Sequence, residues 1–155
     1  MDDGVGNDAN GATTLTVTVT DVNDQTPTYA ATDTTPSVAE GSTAVETAIA
    51  ITDTDTGDAN TCALGGADSG LFTCTVTATA YTLAFTNAPD YDSAGDSGGN
   101  NVYDVTVTIS DGVNTGATIT YAVTVTDLND QTPSWSTGSS INVAEGSTAV
   151  ATLAA

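Results

Sequence analysis

The stretch YDVTVTISDGVNTGATITYAVTVTDLND, residues 103–130, decides the fold class. Apolar residues occupy every second position on both sides of the turn at Asp111-Gly112: Val105, Val107, Ile109, Ile119, Tyr121, Val123 and Val125. A period of two is typical of strands that turn one face to a core and the other to water. The stretch therefore predicts two strands with apolar faces inward and Thr side chains, which strands favour, outward.

Four further segments have the composition of strands and are separated by turns rich in Asp, Gly and Asn: 44–51, 62–64, 71–76 and 81–85. No segment has a helical pattern. About seven strands in about 100 residues are typical of an antiparallel β-sandwich. We predict an all-β, Greek-key sandwich of the immunoglobulin-like kind.

Two motifs occur twice, and their spacing defines a repeat. DVNDQTP at 21–27 returns as DLNDQTP at 127–133, and VAEGSTAV at 38–45 returns unchanged at 143–150. A period of roughly 105 residues corresponds to one sandwich per repeat. We therefore predict the last strands of a preceding repeat at 1–24, one complete repeat at 25–130, and the first part of a following repeat at 131–155. The alternating run TLTVTVT at 14–20 is expected to be a strand of the preceding repeat.

The charge of the chain is entirely acidic. The chain has twenty Asp and Glu residues and no Lys, Arg or His, so its formal net charge is −20. Two carboxylates about 4 Å apart repel by roughly 4 kcal/mol at an effective dielectric of about 20, whereas a bound cation reverses the sign. Metal ions are therefore the expected counter-charge. Nucleic acid and anionic membranes are excluded as partners, because phosphate binding needs Lys and Arg.

The only cysteines are Cys62 and Cys74, and no His accompanies them. Zinc binding and cysteine-protease chemistry therefore lack ligands and a base. Because the two cysteines flank the turn LGGADSGL at 64–71, we predict a hairpin with a disulfide across it, in an oxidising compartment. The sequence has no apolar run that could span a bilayer and no signal peptide at its start, so no direct membrane insertion is expected.

Asp residues gather in turns, in closely spaced pairs: Asp53 and Asp55, Asp90 and Asp92, and Asp21 and Asp24. Calcium takes six to eight oxygen ligands from carboxylates, Asn side chains and carbonyls, and nearby Gly and Asn help a turn to present several at once. Asp and Asn also populate turns because they bond to their own backbone. That interpretation suits any single Asp but not the whole set.

The order of these motifs resembles that of a cadherin repeat, specifically the bacterial cadherin-like kind of large secreted adhesins. Glu40 in VAEGS, the turns Asp53-Thr54-Asp55 and Asp90-Tyr91-Asp92, Asp111-Gly112 and the two DxNDQ linkers stand where that family has its motifs. Two features depart from it. Asp92 replaces the usual Glu, which shortens the reach to an ion, and Gln25 and Gln131 replace the last Asn of the linker.

The resemblance implies a calcium site at every junction between repeats. For the linker at 21–25 the ligands would be Asp21, Asn23, Asp24, Gln25, Asp53, Asp55, Asn60 and Asp111. For the linker at 127–131 they would be Glu40, Asp90, Asp92, Asp127, Asn129, Asp130 and Gln131, and Glu145 would begin the set of the following repeat. Neither junction is complete within the chain, which fits a window on a longer tandem array or, alternatively, exchange of the end segments between filament subunits.

The function that follows is non-enzymatic and mechanical. We expect a calcium-rigidified repeat of an extracellular, cell-surface or filament protein, with neighbouring modules in the same chain or in adjacent filament subunits as partners. Paired Asp residues in turns do not provide the differently tuned acid and base of a glycosidase. The alternative is a carbohydrate-binding accessory module of a secreted protein, which an exposed aromatic platform would favour. Trp135 aligns with Tyr29, and each ring is expected to pack into its module.

Overall fold

A computed structural model of the chain describes residues 15–57, 59–134 and 143–148. It contains eight strands and one short 3-10 helix within those ranges. The strands are β1 (Thr28–Tyr29), β2 (Ser37–Ala39), β3 (Ala44–Thr52), β4 (Thr61–Gly65), β5 (Phe72–Val76), β6 (Ala80–Phe85), β7 (Val102–Ser110) and β8 (Ile119–Thr126), and the 3-10 helix is Ser69–Leu71. The six strands predicted from composition and alternation are confirmed as β3 to β8. The strands β1 and β2 were not predicted, because two or three residues are too few to show a period.

The strands form two four-stranded sheets, in the orders β1-β3-β6-β5 and β2-β8-β7-β4. The predicted sandwich is confirmed, but one pair differs from the antiparallel expectation, because β2 runs parallel to β8. The first part of the module is divided between the two sheets. Its strand β1 pairs with β3, and the chain then crosses to the other sheet, where β2 pairs with β8. The backbone N–H groups of Ala122 and Thr124 donate to the carbonyls of Thr34 and Pro36, both at 2.9 Å, and dock this crossing segment on β8.

The core lies between the two sheets and contains the residues that the alternation placed inward. Val105, Val107, Ile109 and Val123 are 0% exposed. The opposite sheet contributes Ile49, Ile51, Phe72, Tyr81, Leu83 and Phe85. Each such side chain contributes roughly 1.5–3 kcal/mol when it is fully buried. The core is therefore built mainly from the period-two positions of five strands, and this fixes which loops meet at each end.

Cys62 and Cys74 form a disulfide, as predicted, with their Cα atoms 6.2 Å apart. The predicted hairpin between them is wrong. Cys62 lies in β4 opposite Ile109 of β7, whereas Cys74 lies in β5 opposite Leu83 of β6, so the two strands belong to different sheets. The segment between them crosses the edge of the sandwich because Gly66, at a φ of +94°, and the 3-10 helix turn the chain away from β4. The disulfide therefore ties the two sheets together at their open edge.

The run at 15–20 is not a strand in the structure, contrary to the prediction. Val17 is 74% exposed, and Leu15 and Val19 are exposed even more. The repeat aligns Val17 with Val123, which is buried in β8 between β2 and β7. The same alternating sequence thus forms a strand at Val123 but not at Val17. An alternating segment becomes a strand only where neighbouring strands supply its hydrogen bonds. Trp135, residues 1–14 and most of 135–155 lie outside the described residues.

Candidate metal centres

The sheet register brings three predicted ligands to one end of the sandwich. Thr28 lies opposite Thr52, so the linker preceding β1 runs beside the loop that begins at Asp53. Thr61 lies opposite Ser110. Asn60, which precedes Thr61, and Asp111, which follows Ser110, are therefore neighbours at the same end of these two strands. We refer to the linker 21–25, the loop 53–60 and the turn 111–114 as the first junction.

Hydrogen bonds dock the linker on the loop of the first junction. The carboxylate of Asp55 accepts from the backbone N–H groups of Asp24 at 2.9 Å and of Gln25 at 2.7 Å. The carboxylate of Asp21 accepts from the N–H and the hydroxyl of Thr56, at 2.6 and 2.9 Å. These donors lower the pKa of Asp21. Hydrogen bonds to a charged acceptor are roughly twice as strong as neutral ones, so the linker is held in one position.

A side chain that sequence reasoning missed joins the linker to the turn. The Asn114 amide donates to the carbonyl of Gln25 at 2.8 Å and to the side-chain oxygen of Asn23 at 3.1 Å. Asn23 in turn donates to the backbone carbonyl of Asp111 at 3.5 Å. The available signal was the spacing in DGVN, where an Asn follows the turn Asp by three residues. Asn114 thus completes a link among the three segments of the first junction.

Three oxygens in the first junction are buried without a hydrogen bond among the described residues: Asp53 Oδ2, Asn60 Oδ1 and Asp111 Oδ2. All three belong to predicted ligands. In each case the other side-chain atom is held in place: Asp53 Oδ1 accepts from the N–H of Asp55, Asn60 Nδ2 donates to the carbonyl of Ala78, and Asp111 Oδ1 accepts from two N–H groups. Buried acceptors are rarely left without a partner. The orphaned oxygens therefore fit a cation.

Asp111 is ionised at neutral pH although it is buried. Burial by itself raises the pKa of this carboxyl, but the N–H groups of Asn114 and Val113 donate at 2.6 and 2.8 Å and bring the pKa below its ordinary value. The chain has no basic side chain to balance the charge. The side-chain amides of Asn114 and Asn23 also lie near enough to lower this pKa, although neither meets the geometry of a hydrogen bond to Asp111 Oδ2. The first junction thus holds a negative charge on a buried carboxylate.

The opposite end of the sandwich has a second junction, built around Glu40 at the end of β2. The buried Glu40 carboxylate accepts from the N–H of Leu128 at 2.7 Å and from that of Tyr91 at 2.8 Å. These two donors lower the pKa of Glu40. The β6–β7 loop and the linker 127–131 are thereby attached to one carboxylate, and the sequence prediction that both segments meet near Glu40 is consistent with this geometry.

Carboxylates of the second junction are close enough to repel one another. Burial, and then the negative charges of Asp92, Glu40 and Asp130, raise the pKa of Asp127. Asn101, which sequence reasoning did not select, donates to the carbonyl of Tyr91 at 2.9 Å and has a buried side-chain oxygen without a partner. The second junction therefore has the same two properties as the first, uncompensated negative charge and an orphaned oxygen.

The predicted ligands do not all converge. The described residues hold no cluster of three or more His, Cys, Asp or Glu side chains arranged to bind a metal. Asp21 and Asp55 turn their oxygens to backbone N–H groups, while Asp24 and Asp130 accept from the neighbouring amides of Gln25 and Gln131. Asn129 and Glu145 are exposed. Without a cation, N–H donors are the partners available to these carboxylates, and the full ligand set remains a prediction.

Aromatic side chains of the described module are mostly packed inside it. Tyr29 lies edge-on to Tyr81 with ring centroids 5.8 Å apart, and its hydroxyl bonds to the carbonyl of Ala117 and the N–H of Ile109. The expectation that Tyr29 packs into its module is confirmed. Only Tyr91 is exposed among the rings of the described residues. Within the same ranges, no helix has the length and apolarity needed to cross a membrane.

The fold is that of cadherin extracellular domains. The structures it resembles include a protocadherin gammaB7 EC3-6 cis-dimer (TM-score 0.56, 23% identity), covering 86% of this chain and 33% of that one. Human CDH23 EC21-23 gives a TM-score of 0.58 at 22% identity, covering 88% and 45%. The protocadherin GammaB4 extracellular domain gives 0.51 at 20%, covering 76% and 18%.

The chain thus spans less than half the length of each of these structures, and at such identities the likeness concerns the fold. No protein-family model matches the chain, and no curated protein matches it.

Proposed function

We propose that this cadherin-like sandwich is a structural module of an extracellular surface or filament protein, and that calcium stiffens its connections to neighbouring modules. The observation that supports the proposal most directly is the set of three orphaned oxygens, on Asp53, Asn60 and Asp111, at the end where the linker docks. They belong to residues that the motif order had already selected. Buried acceptors without donors call for a partner from outside the chain, and a cation shared by the three would supply it.

At the first junction, the residues that would hold a calcium ion are Asp53, Asn60 and Asp111, supplemented by oxygens of the linker. A bound calcium ion supplies the positive charge that the chain lacks and draws oxygens from the linker and both loops to one point. The chain's own part is positional. Asp55 and Asn114 hold the linker at its backbone, so that the linker oxygens stay next to the loop.

At the second junction, Glu40 holds the β6–β7 loop and the linker 127–131, and the carboxylates available to a cation are Asp90, Asp92, Asp127 and Asp130. In the proposed array each linker would lie between two modules, and residues 1–24 and 131–155 would belong to the modules on either side. Ions shared across such a junction would turn a flexible, self-repelling connection into a stiff one.

The proposed location is outside the cell. Extracellular calcium modules bind with dissociation constants on the order of 10⁻⁴ to 10⁻³ M, which suits millimolar calcium outside cells. The disulfide between Cys62 and Cys74 fits an oxidising compartment. A carbohydrate-binding role would require an aromatic platform, and among the described rings only Tyr91 is exposed. We therefore propose neighbouring modules as the partners of this one, and we propose no catalytic role for it.

Calorimetry with and without calcium tests the proposal. A site at about 100 times its dissociation constant adds roughly 2.7 kcal/mol to the folded state. One kcal/mol shifts the melting temperature of a domain of this size by about 4–8 °C, so we expect a rise of about 10 °C or more on going from chelator to saturating calcium. Magnesium at the same ionic strength is the control. A rise of under about 2 °C, or an equal rise with magnesium, would contradict the proposal.

A further inference from the structure

Glu46 occupies an inward position of β3 although it carries a charge. It is 8% exposed and lies opposite Leu83 of β6. A β-bulge follows it, with Ala48 at a φ of +54°, so that Glu46, Ile49 and Ile51 all face inward. A carboxylate at such a position is destabilising unless something compensates its charge.

The second copy of the motif has no acid at the position that corresponds to Glu46. The segment VAEGSTAVETAIA at 38–50 corresponds to VAEGSTAVATLAA at 143–155, and Glu46 corresponds to Ala151. The preceding eight residues are identical, and Glu40 corresponds to Glu145. Glu46 is thus specific to this module, unlike the acids of the junctions. A residue that is unfavourable for its local structure, with no compensating contact there, is expected at functional sites.

Among the described residues, none compensates the charge of Glu46. The chain has no Lys, Arg or His, and no described residue donates a hydrogen bond to this carboxylate. Burial, and then the nearby negative charge of Asp33, raise its pKa. The hydroxyls of Tyr81 and Tyr121 are 2.6 Å apart and bond to each other. Glu46 is therefore an acid of low exposure for which the described residues supply neither a hydrogen bond nor a counter-charge.

Glu46 is one of the residues that line an open cavity beside β1 and β3. The cavity has a volume of about 640 Å³, and its walls include Thr28, Tyr29, Thr32, Glu46, Ala48 and Ile49. Its size is within the range of small-molecule sites. The Tyr29 ring is held by its hydrogen bonds to Ala117 and Ile109 and by its contact with Tyr81. Tyr29 and Glu46 thus line the same cavity, and an aromatic ring together with a carboxylate is a combination that suits organic cations.

We propose that the cavity between β1 and β3 binds an alkylammonium group, with Glu46 as its counter-ion and Tyr29 as its aromatic wall. A calcium ion suits the cavity less well, because calcium needs six to eight oxygens and the cavity offers one carboxylate, with Asp33 nearby. The ammonium group comes either from a free amine or from a lysine side chain of another protein. The proposal does not rest on the proposed calcium sites, whose residues lie at the two ends of the sandwich.

Amide chemical-shift titration of the ¹⁵N-labelled chain tests the proposal, in excess calcium so that the junctions are saturated. The two probes are n-butylammonium and N-acetyl-lysine methylamide. We expect saturable shifts confined to residues 28–33 and 45–50. Glu46→Gln, which keeps the shape of the side chain, should weaken binding by about tenfold. Asp104→Asn removes an exposed charge in β7 and should leave binding unchanged.

The outcomes separate the sources and can overturn the proposal. Tighter binding of the lysine derivative assigns the site to a lysine of a partner protein, and tighter or equal binding of butylammonium assigns it to a free amine. Equal affinity of Glu46→Gln and the native chain would overturn the proposal. Shifts that appear only at residues 21–25, 53–60, 111–114 or 127–131 would also overturn it, because they would report general attraction to the acidic junctions. Neither result would affect the calorimetric test of calcium.

Discussion

The carboxylate of Asp55 accepts a hydrogen bond from the backbone N–H of Gln25 at 2.7 Å, across 30 residues of sequence. It accepts a second one from the adjacent N–H of Asp24. One side chain of the β3–β4 loop therefore fixes two consecutive peptide groups of the linker. The orientation of the linker relative to the sandwich depends on this contact in the structure.

Asp55→Ala should release the linker without unfolding the module. Both backbone donors lose their acceptor, whereas the core residues are untouched, so the melting temperature should change little. Limited proteolysis in chelator should cut residues 15–27 about ten times faster than in the native chain. Thr54→Ala, an exposed change in the same loop, is the control. Equal cutting rates for Asp55→Ala and Thr54→Ala would show that Asp55 does not hold the linker.

Asp111→Asn should act differently with and without calcium. In chelator, Asn keeps an oxygen that can accept from Val113 and Asn114 but loses the charge that strengthens these bonds and lowers the pKa of Asp111, so stability at neutral pH should fall slightly. In calcium, the loss of one charged ligand should weaken binding at the first junction by about tenfold or more. Calorimetric titration measures the affinity, and thermal melts measure the stability.

Asp104→Asn removes the same charge at a distance from the junctions and should behave like the native chain in both conditions. A calcium affinity of Asp111→Asn that equals the native value would remove Asp111 from the ligand set.

The raised pKa of Glu46 predicts a pH dependence of stability. A carboxyl whose pKa is higher in the folded state contributes stability at pH values below its unfolded pKa of about 4.3, and this contribution is lost as the pH rises through the folded pKa. The acids and phenols that face it are Asp33, Tyr29, Tyr81 and Tyr121.

Glu46→Gln should therefore be more stable than the native chain by about 1 kcal/mol at pH 7 and equally stable near pH 4. Urea unfolding at the two pH values measures the difference. Asp104→Asn should show no such change with pH. A constant difference between Glu46→Gln and the native chain at both values would mean that the pKa of Glu46 is the same in the folded and unfolded states.

The disulfide should contribute substantially to stability because it joins edge strands of different sheets. It closes a loop with a sequence separation of 12 residues, for which the chain-entropy relation gives about 3 kcal/mol. Replacing both Cys62 and Cys74 by Ser should lower the free energy of unfolding by about that amount. Reductant should destabilise the native chain and leave the double variant unchanged. Sensitivity of the double variant to reductant would point to a different cause.

Sequence reasoning succeeded where the pattern is local and failed where it depends on neighbours. The alternation around Val105 and Val123 predicted the central strands, because period-two burial is visible in a single segment. The hairpin at Cys62 and Cys74 was wrong, since sheet membership is decided by β6 and β7, which lie elsewhere in the chain. Motif order placed Asp53, Asn60 and Asp111 together, and their orphaned oxygens are consistent with that placement.

Other features left little readable sign in the sequence. The spacing in DGVN marks Asn114 as a turn residue, but its contacts with Asn23 and Gln25 of the linker are tertiary and do not follow from that spacing. Glu46 looked like one more acid in a strand, and only the bulge at Ala48 and the cavity beside Tyr29 distinguish it. Both depend on tertiary contacts that a single chain pattern does not encode.

Val17 and Val123 offer a direct test of how far context decides structure, because they occupy the same position of the repeat. Val123 is buried in β8, whereas Val17 is 74% exposed in a segment without strand partners. Val123→Ala should cost about 2 kcal/mol in the free energy of unfolding, as core truncations do, and Val17→Ala should cost less than about 0.5 kcal/mol. Urea unfolding in chelator measures both. Equal losses would show that residues 15–20 pack against the folded module in solution, and the exposed conformation described for them would then be wrong.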